Sequence, residues 1–490
     1  MPILIVVNDP KQWPFQIPNV EVVDARSYLT RPEYSQMKGV KLFNLCRSYR
    51  YQSSGYYVSL LAEARGHKPQ PNVTAIQDLK SQTVVRLASE DLDELIQKSL
   101  APIQSDKFTL SIYFGRNMAK RYDRLALQLF NVFQAPLLRA EFTRDEHWEL
   151  RRLQAIAAND VPESHRSFVV QVATEHFSGR RARVPRRTRT RYDLAILADP
   201  AEPEPPSNEK ALQRFIRAGE SMSLAVERIG HDDYARVAEF DALFIRETTA
   251  VNHYTYRFSQ RAAGEGLVVI DDPDSIVKCA NKVYLAELLT HHGVPVPNTV
   301  LVHRDNVEEI AAKLGFPCVL KKPDSAFSLG VTKVETESDL EGQIKRLLDD
   351  SDLVVAQQFL PTTFDWRIGV LDRQPLYACK YYMAPNHWQI IKRDGMGNRH
   401  YGKFETIPVE LAPAKAVRIA LRAANLIGNG LYGVDVKQSG DQYYVIEVND
   451  NPNIDAGVED AILKQEIYRR IMAVFLRRIE QRKAWIPAHD

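Results

Sequence analysis

The stretch GVDVKQSGDQYYVIEVNDNPN, residues 433–453, decides the fold of the C-terminal region. Two runs rich in valine, isoleucine and tyrosine flank Ser439-Gly440-Asp441, a pattern that predicts two strands joined by a turn. If the turn centres on Asp441, Asp435 and Glu447 lie opposite one another across the hairpin. Glu447 and Asn449 are two residues apart on one strand, so their side chains share a face.

These three side chains predict a magnesium site. Two carboxylates and one amide are hard oxygen ligands of the kind that Mg²⁺ prefers, with positions left for water and substrate phosphates. The alternative is a solvated acidic face on the hairpin. Valines alternate with the polar residues, which favours a buried hairpin, and buried carboxylates without a cation or a partner would be costly. We therefore expect Asp435, Glu447 and Asn449 to hold a metal ion.

Residues 316–331, FPCVLKKPDSAFSLGV, carry a second signal upstream of the hairpin. A strand over residues 318–320 presents Lys321, and a loop of small residues follows over residues 324–330. Such a loop allows main-chain N–H groups to approach phosphates, and a lysine supplies a point charge. The alternative is an ordinary hairpin with no ligand.

Two further segments lie between the lysine strand and the hairpin. LVVAQQFLP, residues 353–361, predicts a buried strand whose exposed end can read an adenine ring through main-chain groups. DWRIGVL, residues 365–371, places Asp365, Arg367 and Gly369 on one strand face. An arginine there can contact charge that develops on a phosphoryl or acyl group. Each segment also fits a purely structural strand or an ion pair.

The order of these motifs along the chain resembles the ATP-grasp superfamily, and within it the RimK-like carboxylate–amine ligases. Asn281-Lys282, the run HGVPVP (residues 292–297), Lys321 with its loop, residues 357–360, Asp365 and Arg367 precede the hairpin in that order. The resemblance covers residues 190–480. The segment before it, residues 192–271, resembles the small domain that precedes the ATP-grasp domain in that family, and the N-terminal third more loosely resembles a domain fused ahead of some RimK-like proteins.

The resemblance implies roles for individual residues. Lys282 and Lys321 match the two lysines that contact ATP phosphates, and Arg367 matches an arginine near the transferred phosphoryl group. Asp435, Glu447 and Asn449 match the ligands of Mg²⁺, with two ions expected and Mn²⁺ as an alternative. The remaining residues expected to bind the nucleotide are Ser325, Ser328, Gly330, Gln357, Gln358, Phe359, Leu360 and Asp365.

The sequence departs from the family pattern in two places. Ser328 stands where many relatives have glycine, so the geometry of loop closure is open. The basic and polar stretch over residues 380–404 does not single out one substrate contact. Its candidates are Lys380, Lys392, Arg393 and Lys403. We also expect Lys380 to be catalytic. Arg246 and Asn451 are further candidates for substrate binding, and an ion pair with a nearby carboxylate is the alternative for Arg246.

The predicted fold class is mixed, α/β and α+β. We expect an N-terminal α/β domain over residues 1–179, an arginine-rich linker over residues 180–191, a small parallel α/β domain over residues 192–271 and a two-lobed ATP-grasp domain over residues 272–485. Helices are predicted over residues 53–65 and 145–158. We find no internal repeat in the sequence.

Composition limits the classes of partner. The chain has 490 residues, enough for about three domains, and 64 basic against 62 acidic residues give a net charge of +2. Such a balance argues against a protein that mainly neutralises nucleic acid, although seven arginines lie within residues 180–191. No segment is long and apolar enough to span a membrane, and four scattered cysteines favour the cytoplasm. A homo-oligomer remains open.

Together these features predict an ATP- and Mg²⁺-dependent ligase. A carboxylate attacks the γ-phosphoryl group of ATP, and an amine displaces phosphate from the acyl phosphate to form an amide. The expected substrates are an amino acid or a peptide, such as glutamate. The alternatives are phosphoryl transfer without ligation on the same fold and a non-catalytic nucleotide-binding regulatory protein.

Overall fold

The computed structural model describes residues 2–18, 20–37, 39–178, 190–324, 330–393 and 399–484. The chain divides into two compact units, Met1–Thr188 with Asp232–Glu239, and Arg189–His231 with Phe240–Asp490. The predicted arginine-rich linker lies outside the described residues except for Thr190 and Arg191.

The first unit is built around a parallel sheet and an antiparallel sheet. The strands of the parallel sheet, in spatial order, are Glu21–Asp24, Ile3–Val7, Lys41–Asn44 and Lys68–Gln70. The strands of the antiparallel sheet are Lys107–Tyr113, Leu137–Arg144 and Trp148–Ala155. The helices of this unit are Ala25–Thr30, Pro32–Ser35, Ser54–Ala64, Val73–Asp78, Gln82–Asp91, Asp93–Leu100, Asp123–Phe133 and Arg166–Ser178, with short 3-10 helices at Pro10–Gln12, Lys120–Tyr122, Ala158–Asp160, Glu163–His165 and His231–Glu239.

One helix prediction is right in this unit and one is wrong. The helix predicted over residues 53–65 is Ser54–Ala64, and the Ser53 hydroxyl caps it by accepting from the Tyr56 N–H. Residues 145–158, predicted as a helix, instead contain the strand Trp148–Ala155. Trp148, Leu150 and Leu153 are buried on one face of that strand, which pairs along its length with Leu137–Arg144. Cross-strand burial therefore overrides the local helical spacing.

The second unit begins with another parallel sheet. Its strands, in spatial order, are Val268–Ile270, Ala242–Ile245, Tyr192–Leu197 and Leu224–Ile229. Helices Glu209–Ser221 and Tyr254–Gly264 connect these strands. The last helix of the described chain, Gln465–Ala484, packs on Glu209–Ser221, and buried Phe475, Tyr468 and Phe215 lie between them and the sheet.

Two antiparallel sheets follow and carry the predicted site. The smaller one has the strand order Thr299–Val302, Val354–Gln358, Cys318–Lys321, Val331–Val334. The larger one has the order Phe404–Ile407, Gln374–Tyr382, Phe364–Leu371, Leu431–Ser439, Gln442–Asn449. A two-stranded ribbon joins Ile391–Arg393 and Arg399–Tyr401. The remaining helices are Pro273–Ala280, Lys282–His291, Glu309–Leu314, Glu337–Asp350 and Ala414–Ile427, with a 3-10 helix at Val409–Leu411.

The two parallel sheets have the same topology, which corrects the expectation that the chain contains no repeat. In each, the strands lie in the spatial order second, first, third, fourth. The helix after the third strand is Ser54–Ala64 in one copy and Tyr254–Gly264 in the other. The matching serines make the same contact, since Ser59 Oγ donates to Pro71 O at 2.7 Å and Ser259 Oγ donates to Asp271 O at 2.6 Å.

No helix among the described residues is long and apolar enough to cross a bilayer. All four cysteines are buried and unpaired, as small core residues usually are.

Candidate functional site

The predicted hairpin forms with the expected register. Strands Leu431–Ser439 and Gln442–Asn449 pair so that Asp435 lies opposite Glu447 and Gly433 opposite Asn449. Valines between the polar residues point to the other face and pack against the helix Ala414–Ile427. The amide of Asn449 lies 3.4 Å from Asp435 Oδ2. The predicted metal ligands are therefore brought to one face of the large sheet.

Arg367 faces Asp435 from the neighbouring strand. The register places the two residues opposite each other, and the guanidinium donates through Nε to Asp435 Oδ1 and through Nη2 to Oδ2 at 2.8 Å. Burial raises the pKa of Asp435, and the positive charge of Arg367 opposes this rise. Gly433 makes room for the guanidinium stem, because a Cβ there would lie 3.0 Å from Arg367 Cδ.

Lys282 reaches Glu447 from the start of a helix. Its Nζ lies 3.2 Å from Glu447 Oε1. Burial alone would raise the pKa of Glu447, but the ammonium groups of Lys282 and Lys321 lower it below its usual value. The helix Lys282–His291 is capped by the Asn281 side chain, and Asn281 also donates to Asp324 at 2.9 Å. This contact ties the helix start to the beginning of the predicted phosphate loop.

Lys321 is held by the small sheet. Its Nζ donates to Gln357 Oε1 at 2.7 Å, and Gln357 Nε2 donates to Thr299 Oγ1 at 3.0 Å. Burial lowers the pKa of Lys321 to about 8, and the carboxylate of Glu447 opposes this shift. Gln357 therefore positions the lysine through its buried side chain.

One cation of the site, Lys437, was not predicted from the sequence. Lys437 Nζ lies 2.7 Å from Asp365 Oδ1 and 2.6 Å from Thr362 Oγ1. Lys437 stands two residues after Asp435 on one strand, so alternation alone would have placed both on one face. Asp365, predicted to bind the nucleotide, is thus paired with Lys437.

The predicted adenine-binding segment follows the small sheet. Gln358 ends the strand Val354–Gln358, and its main-chain N–H already donates to Asn298 O at 2.8 Å. Phe359 and Leu360 are half-buried, and the Phe359 ring lies 5.9 Å from Trp388 and 4.3 Å from Lys333 Nζ. Trp388 and Lys333 are neighbours that sequence reasoning did not identify.

The assembled side chains fit magnesium and a nucleotide. Lys282, Lys321, Arg367 and Lys437 surround the carboxylates of Asp365, Asp435 and Glu447, which leaves one positive charge in excess. Asn449 Oδ1 accepts no hydrogen bond from any described residue. Within the described parts of the chain, no three His, Cys, Asp or Glu side chains form a metal cluster.

Part of the phosphate loop cannot be compared with the prediction. Ser325 and Ser328 lie outside the described residues. Gly330 has a φ of 72°, and its carbonyl accepts from the Lys322 N–H at 2.8 Å. Gly330 is therefore bonded to the residue next to Lys321.

Lys380 does not face this site, which corrects its expected catalytic role. It pairs with Trp366 in the sheet, whereas Arg367 pairs with Cys379, so Lys380 and Arg367 point to opposite faces. Its Nζ contacts Glu405 at 3.0 Å and lies 5.4 Å from the Trp366 ring. Of the other basic candidates, Lys403 is exposed, and the side chains of Lys392 and Arg393 lie outside what the structure describes.

Arg246 and Asn451 contact protein where substrate contacts were expected. The guanidinium of Arg246 is 1% exposed and donates to Ser207 Oγ at 3.0 Å, to Asn451 Oδ1 at 2.7 Å and to Pro452 O at 2.8 Å. Asn451 Nδ2 donates in turn to Glu247 O. These bonds hold the chain just beyond the strand Gln442–Asn449.

Two regions of the chain match protein families, and several known proteins are similar to it. Residues 25–172 match the RimK-like ATP-grasp N-terminal domain, and residues 279–474 match the RimK-like ATP-grasp domain. A probable alpha-L-glutamate ligase of Stutzerimonas stutzeri is 25% identical over 225 residues, which is 45% of this chain and 71% of that protein. The alpha-aminoadipate–LysW ligase LysX of Saccharolobus solfataricus is 27% identical over 195 residues, which is 38% of this chain and 67% of that protein.

Among solved structures, a RimK-domain ATP-grasp protein of Sphaerobacter thermophilus superposes with a TM-score of 0.43 at 19% identity, over 58% of this chain and 99% of that one.

The family matches and the ligase relatives confirm the predicted mixed fold class and the predicted enzyme class, an ATP-dependent carbon–nitrogen ligase. The chain therefore carries two domains of the RimK-like ATP-grasp type, one over residues 25–172 and one over residues 279–474.

Proposed function

We propose that this enzyme joins the carboxylate of one substrate to the amine of an amino acid or peptide, at the expense of ATP. The proposal starts from relatives named as ligases of glutamate and of α-aminoadipate, both of which are acidic amino acids. Glutamate is therefore the first substrate to test, both as a free amino acid and within a short peptide.

The proposal rests on one observation. Charged side chains from two sheets and one helix lie together in a single group. Lys321 comes from the small sheet, Arg367 and Asp435 from the large sheet, and Lys282 from the helix between the small α/β domain and the small sheet. ATP carries its charge on the phosphates, and magnesium bridges such oxygens and offsets their charge when bound. Asp435, Glu447 and Asn449 would hold magnesium here.

The chemistry follows from the poor leaving ability of a carboxylate oxygen. A substrate carboxylate oxygen attacks the γ-phosphorus of ATP, the bond to ADP breaks, and an acyl phosphate forms. The amine then attacks the acyl carbon, loses a proton and displaces inorganic phosphate. Lys321 and Arg367 would stabilise charge on the transferred group, and positioning would supply much of the rate. No protein nucleophile is required.

Some finer features remain proposals. We propose two bound ions, with Mn²⁺ able to replace Mg²⁺, and a cytoplasmic enzyme whose partners are small molecules or peptides rather than nucleic acid. Homo-oligomer formation is a further prediction that size-exclusion chromatography with light scattering would test.

Phosphoryl transfer without ligation and a non-catalytic regulatory role are less favoured. The relatives are named as ligases, and the chain has a side chain of suitable chemistry at each position proposed here to contact ATP phosphates or magnesium. A protein that had lost catalysis would be expected to lack one or more of them.

The test is a screen of amino-acid and dipeptide pairs with ATP and Mg²⁺. Release of ADP and phosphate, together with a new amide detected by mass spectrometry, supports ligation. Glu447→Gln should abolish both products, whereas Glu466→Gln, on the exposed side of the last helix, should abolish neither. A phosphorylated product without an amide, or turnover that Glu447→Gln leaves unchanged, would contradict the proposal.

A further inference from the structure

A groove lies beside the ATP site in the C-terminal unit. It measures about 720 Å³, and small-molecule sites are commonly about 300–1,000 Å³ in volume. Its lining comes from the helices Pro273–Ala280 and Lys282–His291, from the strand Thr299–Val302 and from the segment that follows the strand Ala242–Ile245. Among the described residues, no side chain assigned to ATP or magnesium lines this groove.

Large apolar side chains are exposed in the groove. Val251 is 48% exposed, Tyr284 is 41% exposed and Val277 is 37% exposed, and the three residues belong to three separate segments of the chain. Leu288 and Leu301 add partly buried apolar surface. A single exposed apolar residue needs no explanation, but several that converge on one concave surface indicate a binding site.

The groove is joined to the reaction site on two sides. Asn281 lines the groove and caps the helix that begins with Lys282, a residue of the reaction site. On the other side, Thr249 precedes Val251 by two residues, and its hydroxyl donates to Asp450 Oδ2 at 2.8 Å. Asp450 is the residue after the last predicted magnesium ligand. A molecule that reacts at the ATP site can therefore extend into the groove.

The groove selects by apolar contact rather than by charge. Its ionisable residues, Glu287, His291, His292 and Asp324, are all exposed, where solvent and salt screen their charges. Free glutamate carries two carboxylates and one ammonium group and offers little apolar surface to such a groove. A peptide with an apolar side chain offers more, and its burial would remove apolar surface of both partners from water.

We propose that this groove binds an apolar side chain of a peptide substrate whose reacting end lies at the ATP site. The inference rests on the proposed function, because it names the class of substrate for the same reaction. The volume of the groove leaves room for more than one residue beyond the reacting group, which favours a peptide over a free amino acid. Val251, Val277 and Tyr284 would contact the side chain and determine specificity.

Calorimetric titration of the full chain, with Mg²⁺ and a non-hydrolysable ATP analogue present, tests the proposal. The peptides are Leu-Leu-Glu and Ser-Ser-Glu, together with Glu-Leu-Leu and Glu-Ser-Ser, because the reacting group can be at either end. In one of the two orders, the leucine peptide should bind about 10- to 100-fold more tightly than its serine counterpart, as expected when one leucine side chain leaves water. Equal affinities in both orders, or no binding of any peptide, would overturn the proposal.

Variants of the lining test the position of the site. Val277→Asp places a charge in the groove at an exposed helical position and should remove the preference for leucine. Tyr284→Ser, on the next helix, should reduce the preference as well, so the result does not depend on the folding of one variant. The matched control is Val132→Asp, because Val132 is also helical and is 39% exposed but lies in the first unit. The control should keep the preference, and a preference that both groove variants retain would overturn the proposal.

Binding is measured without turnover, which separates this inference from the proposed function. Amide formation from free glutamate, with equal affinities for leucine and serine peptides, would overturn the role of the groove alone. A preference for leucine without any amide in the substrate screen would support the groove and contradict ligation. The other possible occupant is a second copy of the chain, which light scattering detects. An oligomer that dissociates in Val277→Asp, with an unchanged peptide preference, would overturn the proposal.

Discussion

Lys282 and Glu447 form an ion pair of 3.2 Å between the first residue of a helix and the predicted metal strand. The two residues are far apart in the sequence, and each has a second role in the proposed reaction, one toward phosphate and one toward magnesium. The pair favours the ionised form of Glu447, because the positive charge of the lysine lowers the pKa of that carboxyl group. When the substrates bind, Lys282 would contact a phosphate of ATP and Glu447 would contact magnesium, in place of each other.

Replacing Lys282 with glutamine should reduce ATP turnover and also shift its pH dependence. Loss of an aligned cation in a reaction site commonly reduces kcat about 100- to 1000-fold. Because Lys282 lowers the pKa of Glu447, its removal should raise that pKa, so activity should be lost at a higher pH as the solution is acidified. A pH profile of ADP release measures both effects. Lys313→Gln, which breaks an exposed pair with Glu309, is the control and should leave the profile unchanged.

ATP affinity should fall as the pH rises through about 8. Burial lowers the pKa of Lys321 to about 8, below its ordinary value of 10.5, so the folded enzyme loses this positive charge as the pH rises through about 8 and lacks it up to pH 10.5. The unfolded chain keeps its proton in the same range, so folding stability attributable to this group should instead increase there. Equilibrium binding of a non-hydrolysable ATP analogue from pH 6.5 to 9.5 measures the effect. The same affinity at pH 7 and pH 9 would contradict it, and Lys321→Ala should flatten the curve.

The hairpin was predictable because its two strands are adjacent in sequence and a short turn fixes their register. Asp435 must then face Glu447, and the neighbouring strand brings Arg367 to Asp435. What was not predictable depends on contacts between distant segments. Arg246 follows the end of a strand as a substrate-binding arginine would, but Ser207 and the chain beyond Asn449 surround it with acceptors.

The misplaced helix over residues 145–158 has a related cause. Its apolar residues fit a helix locally, and only the partner strand Leu137–Arg144 gives Trp148 and Leu150 a core to enter. The face of Lys380 likewise depends on its pairing with Trp366 rather than on its own neighbours in sequence. Local patterns identified the elements well, while pairings across the fold decided which side chains meet.

Lys380→Ala should have little effect on catalysis. The lysine lies on the sheet face opposite Arg367, and its ion pair with Glu405 is exposed on the acidic side, so the free energy of unfolding should change little. Steady-state ADP release should stay within about twofold of wild type. A large loss of kcat with an unchanged free energy of unfolding would show that Lys380 contributes to catalysis after all.

Arg246→Lys should affect stability more than substrate affinity. Lysine cannot reproduce the fork that reaches Ser207, Asn451 and Pro452 together, and acceptors left unpaired in a buried site cost about 1–3 kcal/mol each. Urea denaturation should therefore show a loss of several kcal/mol, and kcat should fall because the chain after the metal strand loosens. A raised KM for the carboxylate substrate, with stability unchanged, would indicate direct substrate binding instead.

Gly433→Ala should weaken the reaction through Arg367. A Cβ at this position would lie 2.7 Å from Pro452 Cβ and 3.0 Å from Arg367 Cδ, so the backbone after the metal strand, the arginine stem or both must move. Overpacking of this kind costs about 1–3 kcal/mol of stability, and a shifted guanidinium should lower kcat more than it raises KM for ATP. Gly342→Ala is the matched control, because a Cβ there meets nothing within 4 Å in the helix Glu337–Asp350 and should stabilise it by about 0.5–1 kcal/mol. If Gly433→Ala kept the wild-type kcat while losing stability, the close approach of Gly433 to Arg367 would matter for packing alone.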